Sequence, residues 1–140
     1  MLLFDGRVLV VSSYNHLQQW LGDAEVYDPS TDVWTVVPMF TSHGVEHIAT
    51  LMNDGLVLVV GGARDRDCCW TEDSYAHEIE VYDPWTGLWS TVEQLPQVGV
   101  YSTSVLLPDG RLLITGGETG EYGTTFLSEL WFYPPLSTQP

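Results

Sequence analysis

The segment 63–78 concentrates more chemically versatile side chains than any other part of the sequence. Its candidate ligand-binding residues are Asp65, Arg66, Asp67, Trp70, Glu72 and Asp73. Carboxylates at this density could coordinate Ca²⁺, which takes several oxygen ligands. The segment is not an EF-hand loop, because Arg64 and Arg66 interrupt it and the glycine and terminal glutamate of that loop are missing. We therefore expect a solvated acidic loop and no bound metal.

Three aromatic residues, Trp20, Trp70 and Tyr122, lie in comparable connections and complete the set of candidate binding residues. Aromatic rings in loops can stack against a sugar or a peptide. The two tryptophans can equally cover the sheet beneath them, so both alternatives stay open.

Both cysteines are adjacent, at Cys68 and Cys69, so they cannot join distant parts of the chain through a disulfide bond. A strained disulfide between neighbours and a metal-thiolate pair are the alternatives to two thiols. Histidines at metal-ligand spacing are absent, as are a Ser-His-Asp arrangement and a phosphate-binding glycine pattern. We expect two thiols, no cofactor and no catalytic residues.

The chain is strongly acidic, with 19 Asp and Glu against 4 Lys and Arg and a formal charge of −15. This charge repels phosphate backbones and anionic lipids, so we expect no nucleic-acid or membrane partner. It would attract cations or a basic partner, although solubility alone also accounts for it. No apolar run approaches the ~20 residues of a membrane-spanning helix, and the first residues do not resemble a secretory signal.

The elements that must position these loops repeat along the chain. LLFDGRVLVVSS from Leu2, TLMNDGLVLVVGG from Thr50 and LLPDGRLLITGG from Leu106 align with one another. A second element follows each: AEVYDPSTDVW from Ala24, IEVYDPWTGLW from Ile79 and LWFYPP from Leu130. The 140 residues therefore predict one packed segment with repeats at approximately 1–46, 47–101 and 102–140.

Length differences between the repeats are confined to one connection. From the tyrosine to the next Asp-Gly the distance is 27 residues in both cases, whereas from Asp-Gly to the following tyrosine it is 22, 28 and 24. The variation falls between the second strand and the tyrosine segment. Variable loops on a rigid scaffold are where binding usually resides, so this connection carries all our candidate residues.

Each repeat predicts four short antiparallel strands, a to d. The segments are rich in Val, Ile, Leu, Tyr and Trp and are bounded by turn residues. Asp-Gly between two apolar runs predicts a two-residue type I′ hairpin between a and b. Tyr-Asp-Pro followed by Asp32 or Gly87 predicts the c–d turn. The a–b and c–d turns then share one face, and the variable b–c loops lie on the other.

This ordered set resembles kelch repeats. The matching features are the strand after Asp-Gly, the glycine doublets Gly61-Gly62 and Gly116-Gly117, the two Tyr-Asp-Pro turns, and the following tryptophans Trp34 and Trp89. The resemblance implies an all-β fold of kelch-type β-propeller blades, including bacterial kelch-like and galactose oxidase-like blades. Tyr27, Tyr82, Trp34 and Trp89 recur at fixed positions, so we expect them to pack between blades.

Departures from the family pattern affect function. Ser12-Ser13 replaces the first glycine doublet, and Gly44 and Gly99 stand where kelch repeats often carry arginine. Galactose oxidase binds copper through Tyr and His and uses a Tyr-Cys crosslink, and that set is not recognisable here. The resemblance therefore favours a non-catalytic binding scaffold. The alternatives are a galactose oxidase-like or carbohydrate-active propeller fragment and a Ca-binding propeller.

The repeats predict one complete blade and two incomplete ones. The first has b, c and d with the end of a, and the third has a, b and c. Propellers close with about four to eight blades, so the chain is either a piece of a longer propeller or associates with itself. Two copies would form a six-bladed ring, and we favour that dimer if the chain is full length.

Overall fold

The computed structural model describes residues 1–11, 23–38, 45–63, 74–95 and 99–119 with their side chains, and 125–126 and 130–133 as backbone. Every regular element within these ranges is a β-strand. The strands are β1 (Val8–Val10), β2 (Asp23–Asp28), β3 (Val33–Pro38), β4 (Ile48–Leu51), β5 (Val57–Val60), β6 (Glu78–Asp83), β7 (Leu88–Gln94), β8 (Thr103–Leu106), β9 (Leu112–Thr115), β10 (Glu118–Thr119), β11 (Thr125–Phe126) and β12 (Leu130–Tyr133).

Ten of these twelve strands form three antiparallel sheets that follow the predicted blade order, and β10 and β11 pair separately as a two-stranded sheet. Blade one is β1-β2-β3, blade two is β4-β5-β6-β7, and blade three is β8-β9-β12. A bridge from Leu2 to Val8 adds the end of a first strand to blade one. Blade two therefore has strands a to d, blade one has b to d with a stub of a, and blade three has a to c. The predicted all-β fold of antiparallel blades, one complete and two incomplete, is confirmed.

The a–b turns differ from the predicted two-residue type. In the first turn Leu3 N–H donates to the Arg7 carbonyl at 2.8 Å, so three residues form the loop. Only the glycine has positive φ, at 88°, 89° and 86° for Gly6, Gly55 and Gly110. This is a three-residue hairpin with glycine in the left-handed position. The type I′ prediction was wrong, because the aspartates instead accept hydrogen bonds from the backbone two residues on.

The c–d turns form as predicted. Asp28 Oδ1 accepts the Ser30 N–H at 2.8 Å, and Asp83 Oδ1 accepts the Trp85 N–H at the same distance. The residue two positions before each tryptophan adopts positive φ, 58° at Asp32 and 71° at Gly87. The side-chain oxygen of aspartate thus fixes the start of the turn, and the left-handed residue completes it.

Successive strand residues point to opposite sides of each blade, and two apolar layers result. One layer between blades one and two contains Leu3, Leu9, Ala24, Val26, Val37, Val57, Val59, Tyr82 and Trp89. The other layer, between blades two and three, contains Met52, Leu58, Val60, Ile79, Val81, Leu95, Leu112 and Ile114. Blade two is thus apolar on both sides, which accounts for the continuous burial of Val57–Val60.

Candidate functional site

The predicted binding residues all fall outside the described ranges. They are Trp20, Asp65, Arg66, Asp67, Trp70, Glu72, Asp73 and Tyr122. Their role in binding stays a prediction. The adjoining residues are described, and they show how the second and third variable loops are anchored.

The second variable loop, 64–74, leaves from a closed base. Ala63 forms isolated bridges with Val45 on one side and Tyr75 on the other. Ala63 N–H donates to the Val45 carbonyl at 2.9 Å, and Ala76 N–H donates to the Gly62 carbonyl at 2.9 Å. Ala63 and Tyr75 are completely buried and form a small apolar cluster with Val100. Both ends of the loop are therefore held by backbone pairing.

The third variable connection contains a short ladder that the sequence analysis did not predict. Glu118–Thr119 pairs with Thr125–Phe126, so residues 120–124, including Tyr122, connect two paired strands. At the base, Val100 and Glu118 exchange two backbone hydrogen bonds of 3.0 Å. These two anchored loops leave from the same face, since both follow strand b.

The closed base of the second loop is lined by apolar side chains and by the buried phenol of Tyr75. Burial raises the pKa of the Tyr75 phenol, and the nearby charge of Glu118 raises that pKa further. The phenol therefore keeps its proton well above neutral pH. A tyrosine in this state serves as packing and as a hydrogen-bonding group rather than as a base.

The opposite face, which carries the tight turns, bears an aromatic patch that the sequence analysis missed. Phe4 and Trp85 are 63% and 67% exposed. A Cβ placed on Gly55 would lie 2.9 Å from Trp85 and 3.3 Å from Phe4, so both rings cover this glycine. The other repeats have Asn53 and Pro108 at the position of Phe4. An aromatic residue present in one repeat only was the signal that could have revealed the patch.

Arg7 ties blade one to blade two on the same face. Its Nε donates to Asp5 Oδ2 at 2.8 Å, and its Nη2 donates to the Pro84 carbonyl at 2.6 Å. The hydrogen bond from Arg7 holds the pKa of Asp5 below its usual range. Arg111 and Asp109 form the same pair in blade three, with an Nη2–Oδ2 distance of 2.8 Å.

A cleft of about 310 Å³ opens beside Arg7 between blade one and the c–d turn of blade two. Val33, Val36 and Pro38 give it an apolar wall, while Arg7 and Asp28 supply charge. Within the described part of the chain, no three His, Cys, Asp or Glu side chains are grouped so as to hold a metal ion. Nor do those residues include a helix long and apolar enough to cross a bilayer.

Comparisons with known proteins agree with this geometry. A profile of the Kelch motif matches residues 4–39, which run from the first a–b turn through β3. The chain is 25% identical over 139 residues to Kelch-like protein terF of Aspergillus terreus, which covers 91% of this chain. It is 29% identical over 113 residues to the F-box/kelch-repeat protein SKIP20 of Arabidopsis thaliana, covering 80% of this chain. The chain thus contains a kelch motif at residues 4–39 and is similar to kelch-repeat proteins over most of its length.

A third kelch relative is beta-scruin of Limulus polyphemus, which is 24% identical over 133 residues and covers 92% of this chain. The chain spans 30% of the length of terF, 25% of SKIP20 and 14% of beta-scruin. A copper complex of a fungal alcohol oxidase of the AA5 family has a TM-score of 0.73 over 93% of this chain and 28% of its own, at 18% identity. That likeness shows the fold alone.

Gly99 stands at one of the two positions where kelch repeats often carry arginine. A Cβ on Gly99 would overlap the Glu118 carbonyl oxygen, and a Cβ on Gly117 would overlap the Ser102 hydroxyl. The entry to strand a therefore passes against the backbone after strand b with no room for a side chain. Glycine is required at position 99 by this close approach.

Proposed function

We propose that this kelch chain is a non-catalytic scaffold that binds a protein segment through its variable b–c loops. The observation that carries the proposal is the closed base at Ala63, Tyr75 and Val100, from which the longest variable loop leaves. A loop fixed at both ends can vary in sequence without disturbing the blades. It also loses less conformational freedom on binding than a loop whose ends are free.

Charge indicates the kind of segment that would bind. The loop on blade two carries Asp65, Asp67, Glu72 and Asp73, and the whole chain has a formal charge of −15. A basic peptide would be steered toward this face and away from like-charged competitors. Trp20, Trp70 and Tyr122 would supply the apolar contacts that anchor such a peptide.

Two relatives support a protein partner by their names, since an F-box/kelch-repeat protein and a scruin are among the matches. The self-association expected if the chain is full length stays a separate prediction, because it concerns the two end blades and not the loops. Copper and calcium chemistry are the competing functions, and elemental analysis of the purified chain separates them from peptide binding.

The experiment uses a displayed library of basic peptides selected on the purified chain. We expect Trp20→Ala and Trp70→Ala to weaken the selected peptide by at least about tenfold each, since buried tryptophan anchors commonly contribute 2 kcal/mol or more, roughly thirtyfold. Trp85→Ala is the matched control, because Trp85 is an exposed tryptophan on the opposite face. Loss of binding in the Trp85 variant alone would place the site on the tight-turn face and overturn the proposal.

A further inference from the structure

The c–d turns of blades one and two differ in one side chain that matters for hydrogen bonding. In blade one the Tyr27 hydroxyl donates to Asp32 Oδ1 at 2.9 Å. Gly87 takes the place of Asp32 in blade two, and both residues have positive φ, 58° at Asp32 and 71° at Gly87. The two turns therefore share a left-handed residue at this position. The tyrosine of blade two, Tyr82, lacks the carboxylate that its counterpart contacts.

Tyr82 borders the cleft of about 310 Å³ that opens between blade one and the c–d turn of blade two. Both Tyr82 and Gly87 line this cleft, and Tyr82 is only 1% exposed. Within the described ranges no residue accepts a hydrogen bond from its hydroxyl. A buried tyrosine hydroxyl usually has a hydrogen-bond partner. The cleft thus offers a donor whose counterpart in blade one is bonded to a carboxylate.

Arg7 brings a positive charge to the same cleft, which it also lines. Its Nε donates to Asp5 and its Nη2 donates to the Pro84 carbonyl. Its Nη1 has no acceptor among the residues that the structure describes. Burial raises the pKa of the Tyr82 phenol and the charge of Arg7 lowers it, so the guanidinium lies near the phenol. A phenol and a guanidinium, both with donors to offer, therefore border one cleft.

The surrounding charges favour a ligand with a single negative charge. In blade one the hydrogen bond to Asp32 raises the pKa of Tyr27, and the nearby charge of Asp28 also raises it. A carboxylate at this position is therefore compatible with a neighbouring aspartate in the same turn. In blade two Arg7 offsets such a charge, because its Nη2 already contacts the turn. Asp28 also lines the cleft, from blade one, and would repel a second negative charge.

The remaining walls of the cleft suit an apolar group of limited size. Val26, Val33 and Val37 of blade one line it, and its volume lies at the small end of the ~300–1,000 Å³ of ligand pockets. The cleft lies where blades one and two already pack against each other through Tyr82 and Val37. It is thus a feature of a completed contact between two blades and not of an open blade face.

We propose that this cleft binds a small molecule that carries one carboxylate on an apolar body. One carboxylate oxygen accepts from the Tyr82 hydroxyl, as Asp32 does from Tyr27 in blade one, and the other accepts from Arg7 Nη1. The apolar body lies against the valines of blade one. This site is independent of the proposed peptide binding, because it lies beside the tight turns and contains no residue of the variable loops.

The first test is a titration of the isotope-labelled chain with benzoate, followed by two-dimensional NMR. We expect saturable changes in the amide signals of Thr31 and Gly87, which line the cleft. Benzamide, which has the same ring without the charge, should bind at least about tenfold more weakly. Isophthalate, which has a second carboxylate, should also bind more weakly than benzoate. Equal affinity for benzoate and benzamide, tighter binding of isophthalate, or no saturable change near Gly87 would overturn the proposal.

The second test restores to blade two the carboxylate that blade one has. Gly87→Asp should itself accept from the Tyr82 hydroxyl, and it should weaken benzoate binding by at least about tenfold. Gly87→Ala is the matched control, because a Cβ at this position meets no atom within 4 Å and both variants place it on the same left-handed residue. The alanine variant should keep its affinity for benzoate. Equal losses in the two variants would contradict competition by a carboxylate.

The third test removes each donor separately. Tyr82→Phe deletes only the hydroxyl and should weaken benzoate binding by roughly tenfold, and Arg7→Gln should do the same or more. The matched controls are Tyr27→Phe and Arg111→Gln, which change the corresponding residues of blades one and three and should leave the affinity unchanged. Circular dichroism and urea unfolding of every variant show whether the blades remain folded. Unchanged affinity in a folded Tyr82→Phe variant would overturn the proposal even if Arg7→Gln failed to fold.

Discussion

Replacing the two repeated tryptophans one at a time measures how much one blade contributes to the next. Trp89 and Trp34 occupy the same repeat position and contact a tyrosine at similar ring distances, 5.1 and 4.9 Å. They differ in environment, because blade one covers Trp89 while Trp34 lies on the open side. Any difference between Trp89→Ala and Trp34→Ala therefore reports contact with the preceding blade and not contact with the tyrosine.

The expected difference follows from the exposed fractions, 5% for Trp89 and 53% for Trp34. About half of an indole surface of roughly 250 Å² is ~120 Å², which at ~25 cal/mol per Å² corresponds to about 3 kcal/mol. Trp89→Ala should cost about 3–5 kcal/mol of unfolding free energy, as for other buried aromatics. Trp34→Ala should cost about 1–2 kcal/mol, chiefly from the tyrosine contact and the remaining burial.

The polar atom of Trp89 does not offset this loss. Its Nε1 is buried without a hydrogen-bond partner among the described residues, so truncation removes packing and breaks no described hydrogen bond of the side chain. The measurement is urea unfolding followed by circular dichroism, at a protein concentration where sedimentation shows single chains. Linear extrapolation then yields the unfolding free energies.

Equal losses for the two variants, within about 0.5 kcal/mol, would refute the reasoning that inter-blade burial dominates. Typical unfolding free energies are about 5–15 kcal/mol, so Trp89→Ala could leave too little folded protein. The pair Trp89→Phe and Trp34→Phe then supplies the same comparison on a smaller scale, with the larger loss again expected at position 89.

Four further predictions follow from other features. Gly99→Ala should lower the free energy of unfolding by up to about 3 kcal/mol through overpacking against Glu118. Gly6→Ala should cost less, about 1–2 kcal/mol of left-handed backbone strain, because a Cβ at that position meets no atom within 4 Å. Similar losses for the two variants in urea unfolding would contradict the close approach of Gly99 to Glu118. Gly55→Ala should displace Trp85 and shift its fluorescence emission, whereas an unchanged spectrum in an otherwise folded variant would show that the ring does not cover position 55. Hydrogen bonds from the Arg7 side chain and from the Arg111 backbone lower the pKa values of Asp5 and Asp109, so the stability that these carboxylates contribute is complete above the usual pKa of 3.8 and is lost as pH falls through the lowered values. The urea midpoint of the double variant Asp5→Asn/Asp109→Asn should therefore approach that of the wild type below pH 3.8. A difference between the two midpoints that does not change with pH would contradict this. Protein produced with copper and calcium supplied and then dialysed should contain less than about 0.1 equivalent of either metal by elemental analysis, and one equivalent would favour the metal-binding alternatives over a peptide scaffold.

The blades were predictable because their signal is repeated. Asp-Gly, Tyr-Asp-Pro and the following tryptophan recur in order, so each copy supports the strand assignment of the others. The turn type was not predictable from Asp-Gly alone. That pair occurs in hairpins of two and of three residues, and the choice depends on which backbone groups pair, as Leu3 and Arg7 do here.

Features confined to one repeat were harder to predict. The ladder of Glu118–Thr119 with Thr125–Phe126 is only two residues long and lies among glycines and threonines, so no periodic pattern marks it. The patch of Phe4 and Trp85 requires knowing that two turns from different blades meet over Gly55. The candidate loop residues lie in connections whose length and sequence differ between the repeats, so no repeated pattern supports their placement, and their position remains a prediction.

The closed base at Ala63 and Tyr75 has a consequence for engineering. Backbone pairing within the blade already fixes the distance between the two ends of the loop. An inserted sequence therefore only has to span that fixed distance. For a flexible insertion the entropic cost grows only by about 0.6 kcal/mol with each doubling of loop length. The connection between Ala63 and Tyr75 is therefore the natural place to graft foreign peptides, and the natural place for evolution to lengthen this chain while conserving its blades.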